Sequence, residues 1–528
     1  MCLLLFVSKF RYAYPKRDFM ELNTLYCAAQ VGLEAQEVEV EVSFTRALPS
    51  FSITGLAGNA IQESRQRVQS SLLANDFKFP PLKITVNLSP SDLPKQGSFY
   101  DLPIALLIAG RGAQDFSTIA KEVESQKPKK IFAFGELGLD GRVKDTPSIY
   151  PLLLSLLSDS AQCDSVFILP RSAQEFYSKI PNLKAYFVES LKEAIDILLT
   201  LPPLETFDSS LPFDMLEVCG EKYYYAREFP LDFNAVIGQE RAKRAALIAA
   251  CGFHNLLLEG SAGSGKSMIA SRIPYILPPL TLHNILQMAA STLEITPYRP
   301  FRNPHNSATK AAILGSAVGQ NIKPGEIGFA NDGVLFFDEL PYFPKSILES
   351  LREPLQNHYF TISRLQAKVT YPTDFMFVGA MNPCPCGNLL NLHKECRCNQ
   401  KEINAYKSKI SEPFWDRLDI FVAMDENHQS THCVDSKTMQ QQVLEAFRFQ
   451  KERGQTCFNA RLEAQELDKF CTLSPKEQEI LNLAIQKFGI SKRGIDKILR
   501  VAHSIADLEK SAMILKPHLL EALSFRKI

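Results

Sequence analysis

The chain is 528 residues long, 45% hydrophobic and 22% charged, with a formal net charge of +0. This length holds about two to four domains, and the composition is that of a folded protein rather than a disordered or fibrous one. Balanced charge excludes a global basic footprint for nucleic acid, so any contact with DNA must come from local patches. No apolar run approaches the ~20 residues of a membrane span, which predicts no membrane partner. Of the twelve cysteines, four cluster between 384 and 398 and the rest are scattered singly. That pattern predicts a reduced, cytoplasmic compartment and one metal site rather than a disulfide framework.

Residues 1–19 read as an extension. Met1 to Val7 is apolar but has no basic flank and is too short for a signal sequence. Phe10 to Phe19 shows no clean period, and regular patterning from Met20 predicts the start there. Residues 20–200 predict a mixed α/β domain. Glu37-Val38-Glu39-Val40-Glu41-Val42 alternates strictly, as a half-buried strand does, and Lys83 to Leu88 repeats the pattern. Ala60 to Leu73 and Leu102 to Ala109 predict helices, Ile131 to Leu137 and Ser165 to Leu169 strands, and Leu191 to Leu199 a closing helix. Residues 201–230 carry Pro202, Pro203, Pro212 and Pro230 with few long apolar runs, and read as a linker able to lay one strand or helix on a neighbour. A second α/β domain follows over 231–425. Residues 426–528 are helical by pattern: Pro475 takes the first position of one helix, and another carries Ile495, Ile498, Leu499, Ala502, Ile505 and Leu508 at helical spacing.

The chemistry sits in the second domain. Leu256 to Leu258 predicts a buried strand that feeds Gly260-Ser261-Ala262-Gly263-Ser264-Gly265-Lys266-Ser267, and an apolar, helix-compatible segment follows. Every fixed position of G-x-x-x-x-G-K-[ST] is met. The glycines let successive N–H groups turn inward on phosphate oxygens, and the following helix points its positive end at the same anion. Lys266 then reaches the β/γ-phosphates and the Ser267 hydroxyl ligates Mg²⁺. Downstream, Val334-Leu335-Phe336-Phe337 predicts a central strand of a parallel sheet, ending in Asp338-Glu339 at the edge where such sheets bind ligands. Asp338 is placed for the Mg²⁺ shell, and Glu339 to deprotonate the attacking water. Together the two segments predict an ATPase.

Several longer strings coincide around them: Gly238-Gln239-Glu240 with Lys243-Arg244, Arg299-Pro300-Phe301-Arg302-Asn303-Pro304-His305, Pro324-Gly325-Glu326-Ile327, Arg352-Glu353-Pro354-Leu355, Met381-Asn382-Pro383-Cys384-Pro385-Cys386-Gly387 and Asp416-Arg417-Leu418-Asp419. With these the chain resembles, from about residue 20 to 528, the magnesium-chelatase-like AAA+ family represented by the competence protein ComM, also called YifB. It departs from the family in Ser261-Ala262, where Pro-Pro is usual, in Ser267 for Thr, and in Asn306 for the second histidine of Pro-His-His. The resemblance implies an N-terminal α/β domain of the Lon-protease fold, a P-loop AAA+ core with a parallel sheet, and a C-terminal helical lid. It implies roles as well: Asn382 as sensor 1, Arg417 as an arginine finger acting on the next subunit's ATP, and Arg493 as sensor 2. A finger in trans implies a homo-oligomeric ring, a hexamer.

Thr361-Ile362-Ser363-Arg364 and Lys368-Val369-Thr370-Tyr371 flank a short tip and resemble the hairpin before sensor 1 that marks the chelatase and replicative-helicase branch. Arg364 and Lys368 at its tip are candidates for nucleic-acid phosphate, or are protective charge on a solvated edge. Cys384-x-Cys386 and Cys396-x-Cys398 predict a structural tetrahedral Zn²⁺, with His393 as a substitute ligand and free buried cysteines as the alternative. Gly135 to Val143 resembles the Lon string before its catalytic lysine, but that lysine position falls at about Tyr150, and Ser98 is misplaced for a nucleophile. A protease is therefore not expected. The first functional reading is an ATP-driven DNA motor that migrates branched recombination intermediates in natural transformation. The alternative is the motor subunit of a chelatase that drives Mg²⁺ insertion by a partner. The fused Lon-type domain and the cysteine cluster, which chelatase motors lack, favour the first.

Overall fold

The computed structural model describes residues 24–32, 34–110, 130–159, 164–204, 211–318, 321–364, 367–391, 394–424 and 434–526. The extension 1–19, the start expected at Met20, and His393 lie outside the described residues. The chain divides into two compact units, the first built mainly from Glu37–Ile149 and Ala161–Ser209, the second mainly from Ser210–Ile528.

Strands β1 (Thr24–Val31), β2 (Glu34–Thr45), β3 (Ser50–Thr54), β4 (Lys83–Ser89), β5 (Lys130–Ala133), β8 (Ser165–Pro170) and β9 (Ala185–Val188) form a seven-stranded sheet in the order β3-β4-β2-β1-β5-β8-β9; β6 (Glu136–Leu137) and β7 (Val143–Lys144) make a separate short hairpin. The alternation in β2 does what its period demands: Val38, Val40 and Val42 are buried and the residues between them face outward. β8 is buried at all six positions, as a strand covered on both faces must be. Helix α1 (Asn59–Ala74) is amphipathic, whereas α2 (Asp101–Gly110) is buried from Asp101 to Ala109. Asp101 is tolerated there because Arg67 of α1 grips it with two hydrogen bonds, at 2.6 and 3.1 Å, and the Leu137 N–H donates to it at 3.2 Å. Helix α3 (Leu191–Thr200) begins on Ser190, whose hydroxyl accepts from the Glu193 N–H.

In the second unit, the part of 201–230 from Ser210 onward holds more than a connection. Its described residues form β10 (Asp214–Val218) and β11 (Glu221–Tyr225), joined by a two-residue turn with Cys219 and Gly220 both at positive φ. Next come α4 (Glu240–Gly252), β12 (Leu256–Gly260), α5 (Lys266–Ala270) and β13 (Leu280–Thr281), and β13 adds to β11 as a third strand. Then follow β14 (Phe301–Arg302), the hairpin β15 (Gly315–Val318) and β16 (Asn321–Pro324), β17 (Val334–Phe337), α6 (Arg352–Asn357), the hairpin β18 (Tyr359–Arg364) and β19 (Ala367–Pro372), β20 (Met376–Met381), α7 (Glu412–Trp415) and β21 (Ile420–Met424).

The central sheet runs β14-β17-β20-β12-β21 and every pairing in it is parallel. Its strands read as continuous apolar runs because alternate residues enter two different cores. Leu256, Leu258, Phe336, Val378 and Val422 face one, together with α4; Leu257, Leu335, Phe337, Phe377 and Met381 face the other. Helices α8 (Ser436–Glu452), α9 (Ala464–Phe470), α10 (Pro475–Phe488), α11 (Lys492–Leu508) and α12 (Lys516–Ser524) complete the unit, and α11 lays Ile498, Ala502 and Ile505 into the first core. No helix among the described residues is long and apolar enough to cross a membrane.

Candidate nucleotide site

β12 lies between β20 and β21, so the loop after it leaves an interior strand at the C-terminal edge of the sheet. Two backbone demands explain its glycines. Gly263 and Gly265 take φ of +83° and +90°, a region side chains disfavour. At Gly260 a Cβ would lie 2.6 Å from the Ser264 hydroxyl and 3.0 Å from Met424 Cβ. The helix that follows is shorter than the apolar run implied: α5 ends at Ala270 and the chain passes into a tight turn over Ile273–Ile276.

The buried Lys266 ammonium donates to the Gly260 and Ser261 carbonyls, both at 2.7 Å, and to Asn382 Oδ1 at 3.3 Å. Burial lowers its pKa, and the nearby carboxylates of Asp338 and Glu339 oppose that shift. The Ser267 hydroxyl donates to Asp338 Oδ2 at 2.8 Å, so the two oxygens expected around Mg²⁺ are already side by side. Both are hard oxygen donors, the chemistry that ion prefers. Glu339 has φ of +52°, unusual for a residue with a side chain, and its N–H donates to Asp338 Oδ1 at 2.9 Å. Asn306 Nδ2 donates to Glu339 Oε2 at 3.3 Å. Asn306 was not among the expected site residues; its signal is that a side-chain amide stands where a second histidine is usual, just beyond β14.

Arg417 and Arg493 gather elsewhere. Arg417 follows α7, and its Nη2 donates to Gln356 on α6. Burial lowers the Arg417 pKa, with Arg493 and then Arg352 adding like charge. The Nε atoms of Arg352 and Arg417 are buried without a hydrogen-bond partner. Arg352, which also donates to Glu349 at 2.7 Å, was not expected beside Arg417. Lys266, by contrast, has Asp338 and Glu339 as its charged neighbours. Arg417 lies beside Asn255, before β12, and so stands apart from the phosphate loop that follows the same strand.

The four cysteine sulfurs lie within 4.8 Å of one another. Cys384–Cys386, Cys384–Cys396 and Cys386–Cys396 are separated by 3.4, 3.7 and 3.7 Å. A tetrahedral zinc with Zn–S bonds of ~2.3 Å needs sulfurs ~3.8 Å apart, so the C-x-C bite fits the ion. This loop packs on the nucleotide site: a Cβ at Gly387 would sit 3.9 Å from the Asn382 side chain and 4.0 Å from the Ala262 nitrogen. In the β18–β19 hairpin, Arg364 pairs with Ala367 and Lys368 with Ser363, so the two basic residues are not cross-strand partners. Only the backbone is described at 363–368, apart from 365–366, which lie outside the described residues. In the first unit the Ser98 hydroxyl donates to the Glu136 carboxylate.

Three family profiles match the chain. Residues 232–432 match the one described as magnesium chelatase, subunit ChlI, residues 40–172 the one described as subunit ChlI of Mg-chelatase, and residues 434–526 the one described as magnesium chelatase, subunit ChlI C-terminal. The chain is 34% identical over 521 residues to the competence protein ComM of Haemophilus influenzae, covering 96% of this chain and 98% of that one. It is 34% identical over 523 residues to the uncharacterized protein YifB of Escherichia coli strain K12, again 96% and 98%. A shorter match, 25% over 178 residues, is to a magnesium-chelatase subunit ChlI homolog of Methanocaldococcus jannaschii, covering 29% of this chain and 49% of that protein.

Proposed function

The chain belongs to the ComM/YifB family of magnesium-chelatase-like proteins, and from that premise we propose that it hydrolyses ATP as an AAA+ ring motor acting on DNA, in branch migration of recombination intermediates during natural transformation. The observation that carries the ATPase is that the adjacent Lys266 and Ser267 bond to Asn382 and Asp338, up to 116 residues away in sequence, with Glu339 beside Asp338.

In this reading Lys266 and the loop N–H groups bind the phosphates. Magnesium, held by the Ser267 hydroxyl and Asp338, would neutralise phosphate charge when bound. Glu339 takes the proton from the attacking water, Asn306 holds that carboxylate in place, and Asn382 orients the water or the γ-phosphate. Arg417 and Arg493 serve the nucleotide of another copy, which makes the working unit a ring, a hexamer in the family's pattern. Zinc on Cys384, Cys386, Cys396 and Cys398 would be a structural cross-link beside Asn382. The first unit is a Lon-type domain without a dyad, and α8 to α12 form the lid. Arg364 and Lys368 meet DNA phosphate at the ring's pore.

The test is steady-state ATP hydrolysis with and without single-stranded, duplex and branched DNA. Stimulation is expected, greatest with branched DNA. A robust rate that none of the three changes would overturn the DNA reading, leave the ATPase intact and favour the chelatase-type motor.

A further inference from the structure

We infer that the backbone carrying Arg417 is set by two positioning residues, Lys497 of α11 and Asn255 at the start of β12. This rests on the reading of Arg417 as a group that meets another copy's nucleotide.

Three consecutive carbonyls around Arg417 are held by side chains from distant parts of the chain. The half-buried Lys497 ammonium donates to the Asp416 carbonyl and, at 2.9 Å, to the Leu418 carbonyl. Asn255 Nδ2 donates to the Arg417 carbonyl at 2.8 Å. A cation spanning two carbonyls makes charge-assisted bonds, about twice as strong as neutral ones. Asn255 is 4% exposed and fully engaged: its Oδ1 accepts from the Phe377 N–H of β20 at 2.9 Å, and its own N–H donates to Asp419 Oδ2 at 2.9 Å. A guanidinium at the end of three methylenes goes where its backbone aims it, so these bonds decide the reach of Arg417.

The arrangement also has a direction. β12 begins with this amide's neighbour, Leu256, and ends in the phosphate loop. α11 presents Lys497 one turn after Arg493, on the same face. A shift of either element is therefore delivered to the Arg417 turn. Neither residue touches the nucleotide of its own chain in this scheme; each acts through Arg417.

The test uses full-length protein and four variants: Lys497→Met, Lys497→Arg, Arg417→Ala and Lys266→Ala. Lys497→Met is expected to bind a fluorescent ATP analogue like wild type, with KM little changed and kcat down about 10²-fold, the scale of a small misplacement. Lys497→Arg keeps a donor at the carbonyls and is expected to recover most of the rate. Mixing Lys497→Met with Lys266→Ala subunits is expected to restore activity, because some seams then pair an intact phosphate loop with a well-placed Arg417. A merely structural lysine would lower the melting temperature and give no recovery on mixing, which overturns the inference. Wild-type kcat in Lys497→Met alongside a defective Arg417→Ala overturns it too while leaving the trans reading standing. Wild-type turnover in Arg417→Ala overturns both. Should Lys497→Met not fold, Asn255→Ser removes the bond to the Arg417 carbonyl from the other side; recovery on mixing is again expected, and its absence is fatal.

Discussion

Replacing Glu339 by Gln alters one charge and little else. The Glu339 side chain is exposed, so neither form pays for burial, and its carboxylate accepts the Asn306 amide at 3.3 Å, a bond that a glutamine carbonyl also makes. The contact of the Glu339 N–H with Asp338 is backbone and survives. What disappears is basicity. A positioned general base is worth about 10²–10⁴ in rate, or about 3–5 kcal/mol of barrier. The expected result is a variant that binds ATP as wild type does, measured by titration calorimetry, but releases phosphate at least about a hundredfold more slowly in single turnover. Lys266→Ala makes the contrast. It removes the charge facing the phosphates and strips the Gly260 and Ser261 carbonyls of a donor at 2.7 Å, so binding itself is lost. Normal single-turnover hydrolysis by Glu339→Gln would refute the assignment of Glu339 as base.

Acid should weaken the second unit. Burial holds the pKa of His254 and of His503 down to about 4, against about 6.5 when unfolded. The unfolded chain then takes up protons that the native state refuses, so the stability these residues contribute is full above about pH 6.5 and is lost as pH falls toward 4. A melting temperature that stays flat across that window would count against it. Freshly purified, reduced protein should carry one zinc per chain by elemental analysis, and replacing Cys384 and Cys396 together by Ser should remove it; metal-free wild type would end the idea. In the first unit, Asp101→Ala leaves Arg67 facing an empty partner position and should cost about 3–5 kcal/mol. Denaturant titration of that variant checks the figure, and a loss under about 1 kcal/mol would mean the pair is not what tolerates the buried charge.

The amino-acid sequence by itself determined what is written in short-range spacing. The phosphate loop from Gly260 to Ser267 needs its residues consecutive, because the bonds that curl it join neighbours along the backbone. The valines of β2 and the apolar face of α11 follow periods of about 2 and 3.6 residues, and the run Val334–Phe337 betrays a strand covered on both sides. The strand order β14-β17-β20-β12-β21 was not legible, since a parallel strand's neighbour is set by a crossover and not by local pattern. The hairpin that turns at Cys219-Gly220 was not legible, since 201–230 reads as a linker, and the third strand beside it, Leu280–Thr281, is too short to have a period at all. The candidate site divides the same way. Lys266, Ser267, Asp338 and Glu339 were nameable from two motifs. Their meeting with Asn306 and Asn382, the gathering of Arg352 and Arg493 around Arg417, and the grip of Lys497 on carbonyls 79 and 81 residues away exist only once distant segments pack. An isolated lysine or amide carries no mark of its partner in the sequence, because the free energy that selects the partner is released when both leave water together.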